Sequence, residues 1–331
     1  MTTRREAALS GMSRAADLHT ELGLRNKLRD GDRPVDVLET IHKMGLAVLF
    51  KPLQGLLGAY VPTAHAAGML LTTERNLHIQ RLTAAHELGH HVLEHRALSL
   101  DAEVGFVALG QGAGHDVQEV EADAFAAAFL LPDWLIVAHA RRHRWGKRDL
   151  AKPDVAYQMS LRLGASYAAT CFALSQANLV TAQEAQYLRS TTPKASKQRA
   201  VPDVEPASWH SDVWLLSERD RGVQVLGNPD DFLVFALEEH VAGGYSWDTT
   251  NLATAGLIVE KDERRDGNGD AIGGGVTRRL IAQGAAIGHL RLEERRPWER
   301  EQGSLNTFEL DLELVGPELQ GLPRVARHVP A

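Results

Sequence analysis

Apolar residues recur at helical spacing through the first half of the chain and alternate at strand spacing through the second. The pattern predicts a helix over 4–24 and another over 35–43, with Pro34 near its first turn and Gly45 ending it. Short runs at 46–50, 58–61 and 68–72, separated by turn residues, read as a small antiparallel sheet. In 79–95, Leu82, Ala85, Leu88, Gly89, Val92 and Leu93 form one apolar stripe, the signature of a buried amphipathic helix. Residues 117–131 form a second, strongly apolar helix that Pro132 ends. The stretch between them, 97–115, holds several glycines and reads as a loop. From 152 to 188 the chain is helical again, and Gly164 supplies the turn of a helix-turn-helix-like segment.

After Ser190 the texture changes. Residues 191–206 are rich in Pro, Ser, Thr, Lys and Ala and read as an interdomain linker. Strand-like runs follow at 209–217, 222–225, 231–237, 256–261, 276–282, 288–293 and 307–314. About seven strands is the number expected of an immunoglobulin-like sandwich. The predicted class is therefore α+β: a mostly helical domain with a small sheet at 1–150, the helix-turn-helix-like segment at 151–190, the linker at 191–206, and an all-β sandwich at 207–331.

Composition narrows the function classes. The formal net charge is −7 over 331 residues, without a basic run longer than two residues, which argues against a broad nucleic-acid footprint and leaves direct nucleic-acid binding open only for a local patch. No stretch has the length and apolarity of a membrane span, and no signal-peptide core stands near the start, so a cytoplasmic protein without a membrane partner is expected. Cys171 is the single cysteine, which excludes an intramolecular disulfide and any multi-cysteine zinc site; it reads as a small buried hydrophobe.

The chemistry concentrates in His86-Glu87-Leu88-Gly89-His90. Residues i and i+4 stack on one helical face, so His86 and His90 can converge on one Zn2+. Glu87, about 100° around the helix, reaches water beside the metal and is the candidate general base. His91, Glu94 and His95 are expected on a solvated face. A catalytic zinc needs a third protein ligand, and the run Glu119-Val120-Glu121-Ala122-Asp123 is the best source. Spacing alone leaves Glu119 and Glu121 in contention. The shared i, i+4 face of Glu119 and Asp123, with small Ala122 beside it, favours Glu119 as ligand and Asp123 as the hydrogen-bond partner that orients a ligating histidine. Glu121 is then expected to face solvent.

Residues Pro34-Val35-Asp36-Val37-Leu38, Gln80-Arg81-Leu82-Thr83-Ala84-Ala85-His86-Glu87-Leu88-Gly89-His90-His91 and the run from Glu119 to Pro132 together resemble the ImmA/IrrE-type zinc metallopeptidases, over about residues 1–190. The resemblance implies a zincin-like, mostly helical peptidase fold. It also implies a metal held by His86, His90 and Glu119, with Glu87 as catalytic base, and a protein substrate that is typically a repressor of the helix-turn-helix class, cleaved to switch on stress or defence genes. Tyr60, His139 and Tyr157 are candidates for an oxyanion donor, and the 58–61 strand for aligning a substrate backbone.

Three later segments are similar to the loops of chagasin-like inhibitors of papain-type cysteine proteases: Val241-Ala242-Gly243-Gly244-Tyr245-Ser246-Trp247, Ile272-Gly273-Gly274-Gly275-Val276 and Arg296-Pro297-Trp298. Ala242 and Gly243 stand where that family carries its inhibitory Thr-Thr element. Tyr245, Trp247, Gly274, Arg296 and Trp298 are thus candidate contacts for a protein or peptide partner, with Trp247 expected to be buried. The expectation is a zinc endopeptidase acting on a regulatory protein. The alternatives are a DNA-binding regulator with a structural zinc, or a cysteine-protease-inhibitor-like binding protein.

Overall fold

A capped start explains the first helix. In the structure, a computed structural model, the described residues are 3–62, 67–95, 117–202, 204, 206, 208–266, 276–299 and 303–327. Thr3 and Glu6 close a reciprocal capping box at the head of α1 (Arg4–Glu21), which is followed by the short α2 (Leu24–Lys27). Helix α3 (Val37–Lys43) starts two residues later than its apolar pattern predicts. Asp36 accepts the Glu39 N–H and so acts as N-cap, leaving Pro34 ahead of the helix.

Strands β1 (Ala47–Lys51), β2 (Gly58–Val61) and β3 (Gly68–Thr72) form a sheet in the order β1-β3-β2. It is mixed, not antiparallel as expected: β1 runs parallel to β3, and β2 antiparallel to it. β1 alternates exposed and buried residues, whereas every residue of β2 and β3 is at least partly buried.

Helices α4 (Leu77–Val92), α5 (Val117–Leu130), α6 (Asp133–His143), α7 (Lys147–Leu150), α8 (Pro153–Leu163), α9 (Tyr167–Gln176), α10 (Ala182–Ser190) and α11 (Pro193–Ala200) follow. Gly164, at φ +60°, ends α8, and the Ser166 hydroxyl caps α9. Cys171 is buried in α9, and that burial pushes its thiol up to about 11. The 191–206 stretch that composition reads as a linker contains α11. There Lys197 is buried; its Nζ donates to the Ser211 carbonyl at 2.8 Å and pairs with Asp212 at 3.0 Å.

The second half contains β4 (Val213–Leu216), β5 (Val223–Gly227), β6 (Phe232–Glu239), β7 (Ser246–Asp248), α12 (Thr250–Thr254), β8 (Ile258–Asp266), β9 (Val276–Gln283), β10 (Ala286–Arg295), β11 (Asn306–Leu314) and α13 (Arg324–Arg327). Two four-stranded sheets, β5-β11-β10-β7 and β4-β6-β9-β8, pack face to face. Alternation supplies the inner faces: Phe308, Leu310, Leu312 and Leu314 of β11 are buried, and Phe308 meets Phe235 of the other sheet edge to face at 6.1 Å. Strand β7 was not legible as a strand because it is only three residues long.

Helix α8 joins the two halves. The Gln158 amide donates to the Val213 carbonyl and accepts the Leu215 N–H, so one side chain satisfies part of the free edge of β4. Arg162 is buried beside it. Its guanidinium pairs with Asp220 at 2.6 Å, donates to the Leu215 carbonyl, and lies over the rings of Trp145 and Trp214. Further along, β1 and β3 are tied to the chain's end. Phe50 and Gly321 exchange backbone hydrogen bonds of 2.8 and 2.9 Å, while Gln80 at the start of α4 accepts the Glu318 N–H and donates to its carbonyl.

Near this junction His139 is fully buried, and burial, reinforced by the charges of Arg162 and His143, holds its imidazole down to about 3. The unfolded chain takes up that proton near the ordinary value of 6.5, so stability from this group is complete above pH 6.5 and is lost as pH falls towards 3. The loss is about 1.4 kcal/mol per pH unit well inside the window. His139→Gln should therefore narrow the stability difference between pH 7.5 and pH 5 by about 2 kcal/mol in urea unfolding; an unchanged difference would contradict the assignment.

Candidate metal centre

Helix α4 is buried on every side from Thr83 to His90, although His86, Glu87 and His90 all ionise in water. Buried groups of this kind are tolerated only with partners, and α5 provides them for the two histidines. The Nε2 atoms of His86 and His90 lie 3.0 Å apart. Glu119 Oε2 stands 3.3 Å from His86 Nε2, and its Oε1 3.7 Å from His90 Nε2. Zinc bonds of about 2.0–2.1 Å in tetrahedral array separate donor atoms by roughly 3.3 Å, so the spacing of these three groups fits that ion. Burial works to raise the Glu119 carboxyl, but the hydrogen bonds and charges of His86 and His90 outweigh it and hold the group well below the usual carboxylate range. Glu119 is thus anionic, as a ligand must be.

The convergence depends on close helix packing. A Cβ added at Gly89 of α4 would come within 3.2 Å of the Ala122 Cα and 3.0 Å of the Phe125 ring. On the other side of α5, a Cβ at Gly11 of α1 would collide with the Glu121 carbonyl oxygen. Small residues at both contacts let α5 lie tightly between α1 and α4, and this brings its acidic first turns over the histidines. The Arg14 guanidinium of α1 also donates to the Val92 carbonyl, closing the C-terminal end of α4.

On the far side of its ring, His86 Nδ1 lies 2.9 Å from Asp123 Oδ1, the pairing that the helical face predicts. Glu87 is buried against β2, where a Cβ at Gly58 would lie 2.5 Å from its Oε1. Tyr60, two residues along the same face of β2, approaches the next turn of α4 with its hydroxyl 3.1 Å from His91 Nδ1. His139 and Tyr157 lie elsewhere: Tyr157 donates to Asp212 at the junction with the sandwich, and His139 is packed by Gly31.

Three residues depart from their expected solvent face. His91 meets Tyr60. His95 is buried, with its Nδ1 2.8 Å from His90 Nδ1 and its Nε2 3.1 Å from Glu121 Oε2. Glu121 is accordingly turned towards the site and not towards water. A regular helix would place His95 well around from His90, but α4 stops at Val92 and the chain folds back, which the helical wheel does not anticipate.

Residues 41–175 match the IrrE N-terminal-like domain of the Peptidase_M78 family. This segment is similar to an IrrE-type domain. It spans both α4 and α5 and so contains His86, Glu87, His90, His95, Glu119, Glu121 and Asp123. No curated protein matches the chain. Among solved structures, a cysteine protease inhibitor from Entamoeba histolytica, EhICP2, is 17% identical over 32% of this chain and 99% of its own, with a TM-score of 0.28. Amebosin is 19% identical over 31% and 96%, with a TM-score of 0.21. A transcriptional regulator from Mycobacterium tuberculosis is 12% identical over 86% and 82%, with a TM-score of 0.29.

Beyond the IrrE-type domain, the candidate contacts in the sandwich separate. Trp247 is 3% exposed, with its indole N–H donating to the Glu238 carbonyl, and belongs to the core; this removes it from a binding surface. Trp298 is 68% exposed and its ring lies against Gly244. The Arg296 guanidinium lies 4.7 Å above the Tyr245 ring and donates to the Gly243 carbonyl. Gly274 lies outside the described residues, as does the 97–115 loop.

Gly11→Ala tests the packing that assembles the centre. The added methyl meets backbone that cannot swing aside, so unfolding of the metal-free protein in urea should show a loss of about 1–3 kcal/mol. Unchanged stability would mean that α1 and α5 are not held this closely.

Proposed function

We propose that this chain is a cytoplasmic zinc endopeptidase that cleaves a regulatory protein. The observation that carries the reading is the meeting of His86, His90 and Glu119 beside a buried Glu87, inside an IrrE-type domain. The three ligands would hold Zn2+, which supplies Lewis acidity to a peptide carbonyl and makes nearby water easier to deprotonate. Glu87 takes the proton of the attacking water and passes it to the leaving amine. Gly58 leaves room for the Glu87 carboxylate, and β2, the outer strand of its sheet, offers backbone groups along which an extended substrate segment can align. Of the three oxyanion candidates, Tyr60 alone stands on a strand beside Glu87.

The family likeness supports a protein substrate of the helix-turn-helix repressor class, and in this reading cleavage switches on stress or defence genes. The exposed Trp298 and the stacked Arg296 and Tyr245 suit a role for the sandwich in recruiting a protein or sensing a signal. The DNA-binding alternative fares less well. Helix α8 is committed to β4 through Gln158 and Arg162, and α9 carries neither lysine nor arginine.

The test is incubation of the purified protein with the repressor encoded beside it. Wild type should cleave it, whereas Glu87→Gln should keep its zinc and lose cleavage by about 100-fold or more. Gly58→Ala should also keep zinc but slow cleavage, since the new methyl displaces the Glu87 carboxylate. Glu119→Ala should lose the metal itself. Equal survival of the substrate with wild type and Glu87→Gln would sink the peptidase reading.

A further inference from the structure

We propose that His95 and Glu121 form a relay that orients His90, fixing which of its nitrogens faces the metal; the inference rests on the reading of His86, His90 and Glu119 as the metal site. A neutral imidazole has one N–H and one lone pair. For His90 to present its Nε2 lone pair beside that of His86, its proton must sit on Nδ1. The atom 2.8 Å from that nitrogen is Nδ1 of His95, which must then accept. The His95 proton is thereby placed on Nε2, where Glu121 Oε2 accepts it at 3.1 Å. The reverse arrangement would set a bare His95 nitrogen against a carboxylate, two acceptors facing each other. Glu121 thus decides the direction of both protons.

The backbone builds this geometry. Glu94 adopts φ +58°, the Glu94 N–H donates to the His91 carbonyl and the His95 N–H to the His90 carbonyl, which is the double hydrogen bond of a Schellman helix stop. In that motif the second residue past the cap returns over the last turn of the helix, and here it sets His95 against His90. Left-handed backbone at a glutamate costs about 1–2 kcal/mol, so the stop is held by what it places. Helix α5 then serves both histidines from one short run: Asp123 orients His86 directly, and Glu121 orients His90 through His95.

Zinc affinity of the full-length protein, measured by competition with a chromophoric chelator, tests the relay. His95→Phe keeps the ring and removes the acceptor; it should weaken zinc binding about tenfold or more and shift the visible bands of the Co2+-substituted protein. Glu121→Ala should weaken binding about threefold or more, while Glu121→Gln, which still accepts a hydrogen bond, should stay within about twofold of wild type. Wild-type affinity and Co2+ spectrum in folded His95→Phe, with only the metal-free melting point lowered, would reduce His95 to a packing residue and overturn the proposal. If His95→Phe does not fold, the Glu121 pair decides: equal affinity in Ala and Gln overturns it. Failure of the underlying site is distinguishable, because then His86→Ala would bind zinc as wild type does, or wild type would not bind it.

Discussion

The approach of α5 to α4 is the constraint from which the rest of the centre follows. Taking carboxylates and imidazoles out of water costs several kcal/mol per group unless partners are already in place. Here the partners come from a neighbouring helix held close by Gly89 against Ala122 on one side and Gly11 against Glu121 on the other. The apolar layer beneath offsets that cost: Leu88, Phe125 and Phe129 are fully buried, and each contributes on the order of 1.5–3 kcal/mol. Phe125 lies beside Gly89 of α4 and Phe129 stacks on His19 of α1, contacts that set the rotation of α5. Its rotation decides that Glu119 and Asp123 meet His86 from opposite sides of the ring.

Helix α4 is also anchored at both ends, and from distant parts of the chain. Gln80 is held by the backbone of Glu318, and the Arg81 guanidinium donates to the carbonyls of Val35 and Gly164. At the other end Arg14 takes the Val92 carbonyl. The segment that leaves the last strand of the sandwich therefore touches the same helix that carries the histidines. The sandwich is joined to the helical half by buried, hydrogen-bonded contacts along α8, and also along α11, where composition suggests a free linker. Polar composition misleads at that point because Lys197 is satisfied by carbonyls and a carboxylate that only the fold brings within reach.

How far the site is legible in the chain depends on how local the interaction is. His86, Glu87 and His90 declare themselves because i, i+4 geometry is a property of any helix. Asp123 follows by the same rule, once Glu119 is placed on the facing helix. Trp247 and the apolar alternation of β11 are likewise readable as core. His95 and Glu121 are not, since the helical wheel that succeeds for His86 turns both to solvent. Their meeting depends on where α4 stops and on a left-handed glutamate, which side-chain identity does not signal.

The sequence alone determined the class of the fold, the helices that carry the chemistry and the residue types able to hold a metal, because hydrophobic periodicity and donor chemistry act within a few residues. The tertiary structure decided the order of the small sheet, the exposure of Trp298, the commitment of α8 to the sandwich and the groups standing behind His90. Each of these depends on how distant segments share space: a strand's place in a sheet follows from which backbones the fold brings beside it, and a polar side chain turns inward when a partner more than twenty residues away is already there.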